Sequence, residues 1–91
     1  MREIIEAESF KEAVERLGGY RAIDQAMEAV IDALYHNPYG FPSVENDWVH
    51  FRYARTKPLL THLIPPLVVI FTINSDRNVI LHHVEEDQDA I

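Results

Sequence analysis

The sequence predicts an α+β, two-layer domain. An N-terminal strand and a helical hairpin pack on a mainly antiparallel sheet in the order β-α-α-β-β-β. Three observations predict it. Apolar residues recur at helical spacing twice in the first third of the chain. From Trp48 onward they alternate or run continuously with β-branched character. Prolines and a polar turn cut that second half into three strands.

Each element has its own signal. Residues Arg2–Ala7 read as a short strand with Ile4, Ile5 and Ala7 apolar. Ser9 with Glu12 has capping-box spacing, so the hydroxyl is expected to cap a first helix. Phe10, Ala13, Val14 and Leu17 give that helix its apolar face, and Gly18-Gly19 stops it. A second helix spans Tyr20–Tyr35, with Ile23, Met27, Val30, Ile31 and Leu34 inward. Arg21, Asp24, Glu28 and Asp32 are expected on its wet side, and Asn37-Pro38 closes it. Tyr20 and Tyr35 flank this helix and are expected to pack.

The segment His36–Asp47 reads as a loop in which Tyr39 or Phe41 packs down. Trp48–Arg55 is an alternating strand, with Val49, Phe51 and Tyr53 on one side and His50 and Arg52 on the other. Thr56–Pro66 connects it to Leu67–Ile73, a run that suits a central strand buried on both faces. Asn74–Asn78 is a turn, and Val79–Val84 is the last strand. The acidic tail 85–91 is expected to fray.

Composition bounds the function. The chain has 91 residues, 47% hydrophobic and 25% charged, which fits one globular domain spanning 1–91. A core this small leaves room for a homodimer. There is no cysteine, which excludes disulfides and thiolate metal sites and fits a cytoplasmic setting. No apolar run is long enough to span a membrane, and the N-terminus lacks a signal peptide's apolar region. The net charge of −7 argues against nonspecific nucleic-acid coating. Within it, Trp48–Val84 is locally basic: Arg52, Arg55, Lys57 and Arg77 stand against Asp76 alone, about +3. Such a stretch suggests an anion site, a phosphate backbone or an acidic peptide. The plainer reading is a set of solvated strand ends.

This order of elements resembles the RelE/ParE superfamily of bacterial toxins over nearly the whole chain. The resemblance rests on Ile4-Ile5 before Ser9-Phe10-Lys11-Glu12, and on the second helix ending at His36-Asn37-Pro38. It extends to the cationic strand Phe51-Arg52-Tyr53-Ala54-Arg55, the Val68–Ile73 strand, and Asp76-Arg77-Asn78 leading into Val79–Val84. It implies the toxin component of a type II toxin–antitoxin pair, with a cognate antitoxin as partner. RelE-like members cleave ribosome-bound mRNA and so inhibit translation; ParE-like members inhibit DNA gyrase by binding it. The chain departs from RelE-like ribonucleases in three ways: it is acidic, it has no cation between Lys57 and Arg77, and its tail reads Glu85-Glu86-Asp87-Gln88-Asp89.

Cleavage of RNA through a 2′-hydroxyl needs proton-transfer groups and cations for the phosphorane charge. The candidates are Arg52, Arg55, Lys57 and His82 for catalysis, and Arg52, Arg55, Lys57 and Arg77 for nucleic-acid binding. Strict alternation puts Leu81 and His83 on one face and His82 on the other, which favours His82 over His83. Against this, both histidines read equally as plain strand residues, and Asp47 or the acidic tail can pair with the cations. Trp48 and Tyr53 have the chemistry to stack on bases, though closing the core is their commoner role. His50, His62, His82, His83, Glu85 and Glu86 show no zinc spacing, so no metal is expected. No Gly-rich phosphate loop and no other cofactor signature is present. An unrelated α+β module that dimerises through a sheet edge, using the apolar Leu59–Ile70 region, is the third reading.

Overall fold

The computed structural model describes residues 2–45, 50–56 and 65–87. Among them lie strand β1 (Ile4–Glu6), helix α1 (Glu8–Arg16) and helix α2 (Tyr20–His36). A short 3-10 turn (Pro38–Gly40) follows, then strands β2 (Ser43–Glu45), β3 (His50–Arg55), β4 (Leu67–Ile73) and β5 (Val79–Glu86). The fold is α+β, as the sequence predicts. The strands form one mixed sheet in the order β1-β5-β4-β3-β2. Every neighbouring pair is antiparallel except β1 with β5, which run parallel from Ile4↔Val79 to Glu6↔Leu81.

The helices cover one face. Phe10, Ala13 and Val14 of α1 and Ile23, Met27, Val30 and Leu34 of α2 are buried. They meet Leu67, Val69 and Phe71 of β4 and Val79, Leu81 and Val84 of β5 in one core. The largest of these side chains each stabilise by about 1.5–3 kcal/mol through burial. The expected stripes are therefore the real ones; Ala26 joins them as a buried residue. Both Gly18 and Gly19 take positive φ, 111° and 89°, and the amides of both bond back to α1 carbonyls. That backbone conformation is what ends the helix.

Four expectations are corrected. Ser9 is not the cap of α1: Ala7 stands there, with no side-chain cap bond. Ala7 is already fixed because its amide donates to the Leu81 carbonyl at 2.9 Å, so the parallel β1–β5 ladder sets the helix start. The supposed loop after α2 contains the 3-10 turn and the edge strand β2, whose Val44 pairs with Phe51. Phe41 does pack down, edge-on to Phe71 with ring centroids 5.7 Å apart. Tyr20 and Tyr35 do not pack closely; they are 37% and 44% exposed. The start of the tail is not frayed, because β5 continues through Glu86 and the Asp87 amide donates to the Pro66 carbonyl at 2.9 Å.

Trp48, Val49, Asp47, Lys57, His62 and residues 88–91 lie outside the described residues, so the expectations placed on them stand as sequence readings.

Candidate functional site

Strand β4 is apolar on both faces, and only one face is filled by the helices. Leu67, Val69 and Phe71 point into the core and are 1% exposed or less. Val68, Ile70 and Thr72 point the other way and are half-buried. The burial on both faces that its sequence suggests is thus complete on one side only. Register carries the second face across the sheet. Tyr53 pairs with Ile70 and Arg55 with Val68, while His83 pairs with Ile70 and Glu85 with Val68. With Val44 and Phe51 these residues bound a concavity of about 550 Å³, whose rim includes His82, Glu86 and Asp87.

A β-bulge brings both histidines to this face. Phe71 pairs with Leu81 but Ile70 pairs with His83, so His82 is the extra residue on β5. Leu81 and Val84, three positions apart, are both buried. The alternation expected for an unbroken strand would have put His82 and His83 on opposite faces, and the bulge overrides it.

His82 is held on several sides. Its Nε2 shares a 2.8 Å hydrogen bond with Thr72 Oγ1. Its ring stands edge-on to Phe51, with centroids 6.0 Å apart. Its backbone carbonyl accepts from the Ser9 hydroxyl at 2.6 Å. Burial lowers the imidazole pKa from its ordinary value, because the half-buried site penalises the charged form. His83 Nε2 lies 3.6 Å from a Glu85 carboxylate oxygen, an ion pair when the ring is protonated.

Arg52 and Arg55 both line the concavity, but their guanidinium groups do not gather in it. Arg52 pairs with Phe71, which places it on the helix-covered side of β3. Its Nη1 donates to the carbonyls of Tyr39 at 3.1 Å and Phe41 at 2.8 Å, and its guanidinium lies 5.7 Å from the Tyr39 ring centroid. Arg52 thereby fastens the segment after α2 to the sheet. Arg55 stands on the concave face, over the Tyr53 ring at 5.7 Å and 3.7 Å from Asp87. The Asp87 side chain is 5% exposed, so a carboxylate of the tail is engaged with a cation, as the sequence allows. Arg77 sits in the β4–β5 turn, at the far end of β4 from Arg55. Six strand steps separate those ends, about 20 Å. The locally basic stretch is thus split between two faces and two ends of the sheet. Lys57 lies outside the described residues.

Sequence reasoning missed Thr72 as the partner of His82. A signal existed in Leu81-His82-His83-Val84: two polar residues between apolar ones break the two-residue period. Among the described residues no three His, Cys, Asp or Glu side chains form a group able to hold a metal. Among them, no helix is long and apolar enough to cross a membrane.

No family model, curated protein or solved structure matches this chain.

Proposed function

We propose that this protein is a toxin-like component of a toxin–antitoxin pair that acts by binding a protein, in the manner of the non-catalytic or gyrase-inhibiting ParE-like members. One observation carries the choice: the concave sheet face is floored by apolar and aromatic side chains, while the described cations are dispersed. Val44, Phe51, Tyr53, Val68 and Ile70 offer surface for an apolar segment. Arg52 is engaged with carbonyls on the other side and Arg77 stands at the opposite tip. A phosphate backbone needs several cations on one surface. The order of elements, from strand through helix pair to meander, supports the superfamily reading at the level of fold, which leaves activity to the site.

The second reading is RelE-like cleavage of ribosome-bound mRNA. A specific observation favours it: His82, His83, Tyr53 and Arg55 border one concavity, so a proton-transfer group and a cation share a face. Inducible expression in bacteria, with growth and protein synthesis followed together, separates the two. Growth arrest with continuing synthesis supports the protein-binding reading. Halted synthesis that is relieved by His82→Ala or Arg55→Ala supports cleavage. Normal growth at confirmed soluble expression rules out toxicity by either route.

A further inference from the structure

We propose that the cavity between α2 and the β1–β5 side of the sheet binds a short alkylammonium ion, tail first, with its charged nitrogen at the mouth between Glu6 and Asp24. The site lies on the helix-covered side of the sheet, away from the concave face, and is independent of the protein-binding reading.

The cavity is graded from apolar to acidic. Its volume is about 180 Å³. Phe10, Ile23, Met27 and Leu81 line it and are buried, so they form its floor. Glu6, Tyr20 and Asp24 also line it. Glu6 is half-buried and the other two are exposed, so these three form its mouth. The local structure explains their meeting. Ile4 packs on the core, and Glu6, two residues on, shares its face of β1. Tyr20 and Asp24 stand at i and i+4 on α2 and share one side of that helix.

The charge at the mouth is unspent. Among the described residues, Glu8, Asp32, Glu85 and Asp87 stand in ion pairs, and Glu6 and Asp24 do not. No lysine, arginine or histidine lines the cavity. Lys11, Arg16 and Arg21, the cations closest in sequence to its residues, stand outside it, and Lys11 lies 3.9 Å from Glu8. The Tyr20 hydroxyl reports the field: its pKa is raised from the ordinary value by partial burial, by Glu6, and by the charges of Glu15 and Asp24. A phenol that stays neutral leaves the Glu6 charge in place. The net charge of −7 acts in the same direction.

These features select a ligand. An ammonium group gains charge-assisted hydrogen bonds from two carboxylates, which repel an anion. The floor offers no polar side chain, so the other end of the ligand must be apolar. A cavity of about 150 Å³ holds a six-carbon ring, so an amine on a four-carbon chain fits here. Direction excludes a lysine side chain of a partner: its stem would fill the acidic mouth and carry the charge to the apolar floor.

The test titrates the full chain with n-butylammonium chloride, 1-butanol and Nα-acetyl-lysine amide, followed by amide chemical shifts. The expected result is at least about fivefold tighter binding of n-butylammonium than of 1-butanol, with the largest shifts at Ile23, Asp24, Met27 and Leu81. Glu6→Gln and Asp24→Asn should each weaken n-butylammonium at least about threefold and leave 1-butanol unchanged. Glu12→Gln removes the same charge from α1 outside the cavity and should change neither. Asp24 is exposed on α2, so its variant keeps the fold whatever Glu6→Gln does to β1. Equal binding of the amine and the alcohol overturns the charge selection, as does a parallel loss of both in Asp24→Asn. Binding of Nα-acetyl-lysine amide as tight as that of n-butylammonium at these residues overturns the tail-first orientation in favour of a partner's side chain. Absence of shifts at these four residues with n-butylammonium overturns the site itself.

Discussion

The Ser9 hydroxyl donates to the backbone carbonyl of His82 at 2.6 Å, joining the first turn of α1 to the bulge of β5. A bulge interrupts the ladder of its strand, and here a side chain supplies a donor at the interruption. The contact ties the helical layer to the residue that brings both histidines onto the concave face.

Ser9→Ala should therefore lower stability by about 0.5–1.5 kcal/mol, read from the urea midpoint. Ser9→Asp distinguishes this role from capping. Aspartate is a good helix cap, but its carboxylate cannot donate to a carbonyl. We expect Ser9→Asp to destabilise at least as much as Ser9→Ala; a more stable Ser9→Asp protein would assign the residue to the cap.

The half-buried His82 imidazole gives a pH dependence with a definite sign. Its folded pKa is depressed, so as pH falls the unfolded chain takes up the proton first. Stability is then complete above the ordinary histidine value near 6.5 and declines through the window down to the folded value. One such group adds a slope of at most about 1.4 kcal/mol per pH unit. Urea unfolding from about pH 8 to about pH 5 should show a steeper loss in the native chain than in His82→Phe. Equal slopes would mean that His82 titrates normally.

Arg52 is predicted to matter for stability. Arg52→Met keeps much of the apolar stem but deletes the donors to the Tyr39 and Phe41 carbonyls. The expected loss is about 1.5–3 kcal/mol. Arg55→Ala should also lower stability, because it takes the guanidinium from the Asp87 carboxylate, which is only 5% exposed. In the expression assay, loss of an effect in Arg52 variants should thus track loss of folded protein, checked by circular dichroism on the same samples. A stable Arg52→Met protein would refute the fastening role.

Arg77 occupies the left-handed region with φ of 67° in the β4–β5 turn. The turn is built around Asn74, whose side-chain oxygen accepts from the amides of Asp76 at 3.0 Å and Asn78 at 2.9 Å. Arg77→Gly relieves the steric cost of that conformation and should raise stability by about 0.5–1 kcal/mol, visible as a higher thermal midpoint. A lower midpoint would show that the arginine side chain contributes more than its backbone costs.

Much of the fold was legible because it depends on local periodicity. Phe10, Ala13 and Val14, and then Ile23, Met27, Val30 and Leu34, announce two helices by spacing alone, and all are buried. Leu67–Ile73 announces a strand by its β-branched run. What stayed hidden depends on contacts across the chain. Ser43–Glu45 has no strand pattern of its own and becomes β2 by pairing with His50–Arg52. Ser9 satisfies a local capping rule, yet its hydroxyl goes to a residue 73 positions away. The candidate site suffered most: one extra residue in β5 moves a histidine onto a face that strict alternation denied it, and pairing register puts Arg52 and Arg55 on opposite sides. A list of cations along the chain carries neither fact.

The parallel pairing of β1 with β5 has a consequence for the order of folding. Ile4–Glu6 emerges before Val79–Leu81 during synthesis yet hydrogen-bonds beside it, across some 75 residues of sequence. The Val79 amide bonds to the Glu3 carbonyl, and Asn78 Oδ1 accepts from the Glu3 amide. Until Val79–Leu81 has been made, the first strand has no neighbour among the described strands, and α1 lacks the surface formed by Leu81 and Val84. Nascent chains should expose Ile4, Ile5 and Phe10 until the last strand arrives, so the sheet closes after translation has passed it, by a slow, long-range step.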